Sequence, residues 1–96
     1  MTPLDRIHCA LRTARRGDRG QALEHVRLYR EDGRGCKRLD RAATLIAISV
    51  DLDRQGFPDV AGPLLAEAAS IINRHLFQRS YARSRAVAMT ATGPAS

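Results

Sequence analysis

The chain has no tryptophan and only four aromatic residues, Tyr29, Phe57, Phe77 and Tyr81, so it offers little ring surface for stacking against bases. Cysteine is scarce too. Two cysteines, Cys9 and Cys36, far apart in the chain, point to a reduced, cytoplasmic setting with Cys9 as a small buried side chain rather than a disulfide or redox group. No stretch approaches the roughly 18 apolar residues of a membrane span, and Met1 to Arg16 carries four arginines and no apolar run of a signal segment. No membrane partner is expected.

His8, His25 and His75 fall on three different expected helices, none with a Cys, Asp or His at the short spacing of structural zinc sites. Neither a metal nor a cofactor is expected. Catalytic constellations are missing as well: Glu24 and His25 are neighbours, and Asp51 and Asp53 diverge by about 200° around a helix, so neither makes an acid–base pair. There is no phosphate loop. These absences point away from an enzyme and from a small-molecule substrate, and toward a protein that acts by binding.

What the chain does have is charge and helical periodicity. Its 96 residues suit one modest core, and 16 Lys+Arg against 10 Asp+Glu give a net charge of +6, which favours anionic partners. Only Lys37 is a lysine, and richness in Arg, Ala and Gly is also what GC-rich bacterial coding produces. The basic residues cluster twice, as Arg12, Arg15, Arg16 and Arg19, and as Arg34, Lys37, Arg38 and Arg41. Acids concentrate between them and the C-terminal arginines, in Asp51, Asp53, Asp59 and Glu67.

Thr2, Pro3 and Asp5 form a capping box for a first helix running to about Arg16, with Leu4, Ile7, Leu11 and Ala14 on one face. Gly17 ends it and Asp18 caps a second, whose stripe is Ala22, Leu23, Val26 and Tyr29 and which fades at Asp32-Gly33. A flexible basic connection over 33–39 follows, with Asp40 as the expected cap of helix three. From Ala42 to Leu52 only Thr44, Ser49 and Asp51 interrupt the apolar run, which belongs at a bundle centre or an oligomer interface. Gly56 closes that helix, and Asp59 is the candidate cap of the fourth. Pro63 means that helix four either starts in earnest there or is kinked. It then continues to about Arg85, and residues 86–96 read as a flexible tail behind a single helical domain of residues 1–85.

The two glycine-centred turns, each five residues ahead of an alanine (Gly17 and Ala22, Gly56 and Ala61), describe two antiparallel helical hairpins. Around the second turn, Leu45, Ile48, Ser49 and Leu52, then Ala61, Leu65 and Ala68, resemble the large and small positions of a tetratricopeptide repeat. Around the first, Ala10, Gly17, Ala22 and Val26 do the same. The chain departs from that family in Tyr29, where a small residue is usual, in Pro63, and in a 39-residue separation of the glycines against a period of about 34.

The fold expected is therefore an all-α four-helix array, tetratricopeptide-like, with a frayed C-terminal tail. The resemblance implies that Leu4, Ile7, Leu11, Ala43, Ile46 and Val50 line an apolar inner face that binds a partner helix or peptide, a second copy, or this chain's own fourth helix folding back. Function is expected to be that of a small interaction module, an adaptor or inhibitor. The alternative is a basic nucleic-acid-associated regulator, with the eight residues Arg12, Arg15, Arg16, Arg19, Arg34, Lys37, Arg38 and Arg41 contacting the anionic partner.

Overall fold

The computed structural model describes the backbone of residues 1–92 and the side chains of residues 1–77. It consists of α1 (Pro3–Arg15), α2 (Arg19–Asp32), α3 (Lys37–Arg54) and α4 (Pro58–Thr92), with no strand among the described residues. The class is all-α, and no helix among the described residues is long and apolar enough to cross a membrane.

Local chemistry sets most of the boundaries. The Thr2 hydroxyl accepts from the Asp5 amide at 3.1 Å and the Asp5 carboxylate accepts from the Thr2 amide at 3.3 Å, with Pro3 at the first helical position. The hydrogen bonds from Thr2 hold the Asp5 carboxyl below its ordinary pKa. Asp18 caps α2 by accepting from the Gln21 amide at 3.2 Å. α1 and α3 end in the same way: Gly17 (φ 83°) and Gly56 (φ 95°) take the left-handed conformation. The next amide reaches back across each turn, Asp18 to the Thr13 carbonyl and Phe57 to the Leu52 carbonyl, both at 2.9 Å. A β-carbon would be strained at either glycine.

Two expected caps are corrected. α3 begins three residues before Asp40, with Cys36 as its N-cap and no side-chain cap bond, because the Asp40 carboxylate is taken: it accepts the Tyr29 hydroxyl at 2.6 Å. Asp59 likewise lies inside the first turn of α4 rather than before it. The connection over 33–36 is shorter than expected and packed against this pair. A β-carbon on Gly35 would fall 1.9 Å from the Tyr29 hydroxyl oxygen, so the backbone there passes where only glycine fits.

α4 is one helix through Pro63. Pro63 removes the amide that would have served the Asp59 carbonyl, one turn from the helix start, and Gly62 before it has no Cβ to clash with the proline ring. At 35 residues and 1.5 Å per residue, α4 is about 52 Å long, most of the 61 Å length of the molecule. It passes Arg85 and reaches Thr92, so residues 86–92 of the expected tail belong to the helix instead, and the rest of that tail lies outside the described residues.

Cross-helix contacts give the order of packing. Arg19 pairs with Asp53 at 2.8 Å while Tyr29 meets Asp40, so α2 and α3 run in opposite directions. Arg41 meets Glu67 and Ser49 meets Ala61, so α3 and α4 do as well. One core joins all four helices: Leu4, Ile7, Ala10 and Leu11 of α1, Ala22, Val26 and Tyr29 of α2, Leu39, Ala42, Ala43, Ile46 and Val50 of α3, and Ala68, Ala69 and Ile72 of α4. Ser49 is buried with them and donates to the Ala61 carbonyl at 2.9 Å, satisfying a hydroxyl that would otherwise be destabilising there.

Burial first, and the neighbouring Asp40 carboxylate second, raise the Tyr29 pKa above the ordinary 10.0. The folded state holds that proton to higher pH than the unfolded chain does. Its contribution is fully present below pH 10 and is lost as pH rises from there toward the folded value. Tyr29→Phe should lower unfolding stability at neutral pH by about 1 kcal/mol in urea titrations and remove this part of the alkaline loss. An unchanged alkaline limb would contradict the assignment. Gly35→Ala should also destabilise, since Tyr29 has to move.

Candidate interaction surfaces

The six residues expected to line an open apolar face, Leu4, Ile7, Leu11, Ala43, Ile46 and Val50, are all buried in the core. That expectation is corrected. Of the occupants considered for the face, the chain's own fourth helix is the one present: Ala68, Ala69 and Ile72 of α4 belong to the same cluster. Apolar area already removed from water inside the chain cannot drive binding of a partner.

Uncovered apolar surface lies elsewhere, part of it on α3 within the run from Ala42 to Leu52 expected at a bundle centre or an oligomer interface. Arg41, Leu45, Ile48 and Leu52 follow one another by steps of four, three and four along α3, one stripe of a helix. Val60, Leu64, Glu67 and Ile71 repeat the same steps along α4. The Arg41–Glu67 ion pair, 2.6 Å, ties the two stripes across the groove between the helices, and the buried Ser49–Ala61 bond sits behind them. α2 approaches α3 along a different stripe, through Asp40 and Thr44. The result is a ridge in which Ile48 is 45%, Phe57 53% and Val60 52% exposed, with Leu45, Leu52 and Leu64 half-buried beneath. The exposed side of α2 differs, since Arg27 there bridges Glu24 and Glu31. Those two carboxylates push the Arg27 pKa up, the Glu24 hydrogen bond most of all.

The eight expected anion contacts are all exposed but do not form one surface. Arg12, Arg15, Arg16 and Arg19 gather near Asp53, where α1 ends and α2 begins, and Arg34, Lys37, Arg38 and Arg41 gather around the α2–α3 connection and the start of α3. The two groups are separated by roughly 20 Å along α3, from Asp40 to Asp53. Arg19 pairs with Asp53, Arg34 with Asp32 and Arg41 with Glu67. Among the described residues Arg12, Arg15, Arg16 and Lys37 make no ion pair.

Arg15 does line a cleft. An opening of about 540 Å³ is bounded by Arg15, Ala66, Ala69, Ser70, Asn73, Arg74 and Phe77. A second, of about 420 Å³, shares Arg15 and Ala66 with it and runs on past Gly62 and Ala61 toward Asp53. Its existence was not legible from charge clustering, because Arg15 and Arg74 are far apart in the chain. His75 and Cys36 both border a smaller hollow beside Leu4 and Leu39, and no group of three potential metal ligands occurs among the described residues.

Comparison with known proteins adds no relative: no protein-family model matches the chain, and no curated protein or solved structure matches it.

Because Ile46 and Ile7 are fully buried, Ile46→Ala should lower unfolding stability by about 2–5 kcal/mol in chemical denaturation. Wild-type stability in that variant would mean that the core is not closed as described.

Proposed function

We propose that this chain is a small non-enzymatic interaction module, an adaptor or inhibitor, that binds an amphipathic helix of a partner protein along the α3–α4 ridge. The observation that carries the reading is the run of exposed apolar side chains Ile48, Phe57 and Val60 over half-buried Leu45, Leu52 and Leu64. Contiguous apolar surface of this kind is uncommon on a protein that works alone. A helix is the fitting occupant because the two stripes border a groove at helical pitch, the arrangement into which the side chains of another helix pack. Within the chain α1 and α2 already cover the other flank of α3. The likeness of the two hairpins to tetratricopeptide units supports the same reading, since those units stack on one another through such flanks.

Nucleic acid is the less supported partner. Tracking a phosphate backbone calls for a row of free cations along one face, whereas the basic clusters here are divided between two ends of α3, and Arg19, Arg34 and Arg41 are paired with carboxylates.

The tagged protein, captured from lysate of its source cell with nuclease present, should bring down one stoichiometric protein. The double variant Ile48→Asp/Val60→Asp changes two exposed side chains, so it should keep its helical circular dichroism and lose that protein, while Lys37→Glu keeps it. Undiminished capture by the folded double variant would overturn the reading.

A further inference from the structure

Two residues apart on a helix means about 200° around it, so the stripe Gly62, Ala66, Ala69 and Asn73 lies on the flank of α4 opposite the ridge stripe Val60, Leu64, Glu67 and Ile71. Ala66, Ala69 and Asn73 of this second flank line the 540 Å³ cleft. Its small side chains let an incoming chain approach the α4 backbone closely. Arg15, from the last turn of α1, and Arg74 of α4 both border the cleft, and neither makes an ion pair among the described residues. Among the described residues no carboxylate lines it; the Ser70 hydroxyl and the Asn73 amide supply the remaining polar groups, and the Phe77 ring stands at one end. The nearest acid on α4, Glu67, is engaged with Arg41 on the other flank.

We propose that this cleft is a second docking site, which takes an acidic segment of a protein: two carboxylates held by Arg15 and Arg74, with an apolar side chain set against Ala66 and Ala69. The inference deepens the interaction-module reading and rests on it, but uses a surface separate from the ridge. Charge complementarity identifies the occupant. Two unpaired guanidiniums with no competing acid favour carboxylates, and Arg binds these with two parallel N–H donors. A floor of alanines with one ring beside it suits an aliphatic side chain. It does not suit a nucleic-acid strand, which gains affinity from about 6–10 phosphate contacts and from stacking on several rings.

The probe is a fluorescein-labelled amphipathic peptide with glutamates on one helical face and leucines on the other. Its controls are the same peptide with lysine for glutamate and a single-stranded DNA of equal length at equal salt. The full chain, isotopically labelled, is titrated with each and read by amide chemical shifts and fluorescence anisotropy. The acidic peptide should shift Ala66, Ala69, Ser70 and Asn73. Charge reversal at both arginines, Arg15→Glu/Arg74→Glu, should weaken it about tenfold, the sum expected of two exposed charge contacts turned repulsive. Arg15→Lys/Arg74→Lys, which keeps the charges but loses the paired donors, should bind between the wild type and the charge-reversed variant, and Ile48→Asp/Val60→Asp should leave the affinity unchanged. No binding, equal binding of the lysine peptide, shifts at Ile48 and Val60 instead, or tighter binding of the DNA would each overturn the inference. If the peptide fails while lysate capture still depends on Ile48 and Val60, the cleft is refuted and the ridge stands; peptide binding at the cleft together with lysate capture that Ile48→Asp/Val60→Asp leaves undiminished refutes the ridge instead.

Discussion

Closure of one core by α4 determines which surfaces this molecule has left to offer. Ile7 of α1, Ile46 of α3 and Ile72 of α4 are buried in a single cluster, and burying each removes apolar area worth about 1.5–3 kcal/mol. Without α4, the stripe formed by Leu4, Ile7, Leu11, Ala43, Ile46 and Val50 would be open and the chain would have an apolar inner face. With α4 in place, that stripe is interior, and apolar exposure moves to the outer side of the α3–α4 pair. The buried Ser49 hydroxyl, satisfied by the Ala61 carbonyl at 2.9 Å, fixes where along α3 the fourth helix sits, and so which residues form the ridge.

Electrostatics act on top of that frame rather than holding it up. The cross-helix pairs Arg19–Asp53 and Arg41–Glu67 are solvent-exposed, and pairs of that kind contribute about 0–1 kcal/mol. Their larger effect is on recognition. Together with the Arg34–Asp32 pair they engage Arg19, Arg34 and Arg41 and so break up the two basic clusters apparent in the sequence, while Arg15 and Arg74 border one cleft and make no ion pair among the described residues. The half-buried Tyr29–Asp40 bond beside Gly35 is the polar contact that does shape the fold, because it packs the connection before α3 against the core.

What the sequence made legible was local. Thr2 with Asp5, Asp18, Gly17 and Gly56 act within one turn of themselves, and each does what its residue type favours. Asp40 resisted prediction because a tyrosine eleven residues earlier claims its carboxylate, a tertiary contact that no capping pattern contains. The candidate sites resisted for a related reason. The run from Ala42 to Leu52 is apolar almost all round, and the positions of α1, α2 and α4 decide that Ile46 and Ser49 go inside while Ile48 stays out. Periodicity identifies a stripe; it does not say which neighbour covers it. The basic clusters were visible as composition, yet their pairing with Asp53, Asp32 and Glu67 depends on packing.

Hydrogen exchange of the native chain, resolved residue by residue, tests the closing role of α4 most directly. If α4 completes the core, the amides of 68–72 exchange as slowly as those of 43–50 and rise to the same free energy of opening. Fast exchange across 68–72 beside slow exchange in α1 and α3 would mean that the fourth helix is not part of the core. The inner face would then be open, and the ridge would not be the surface that matters.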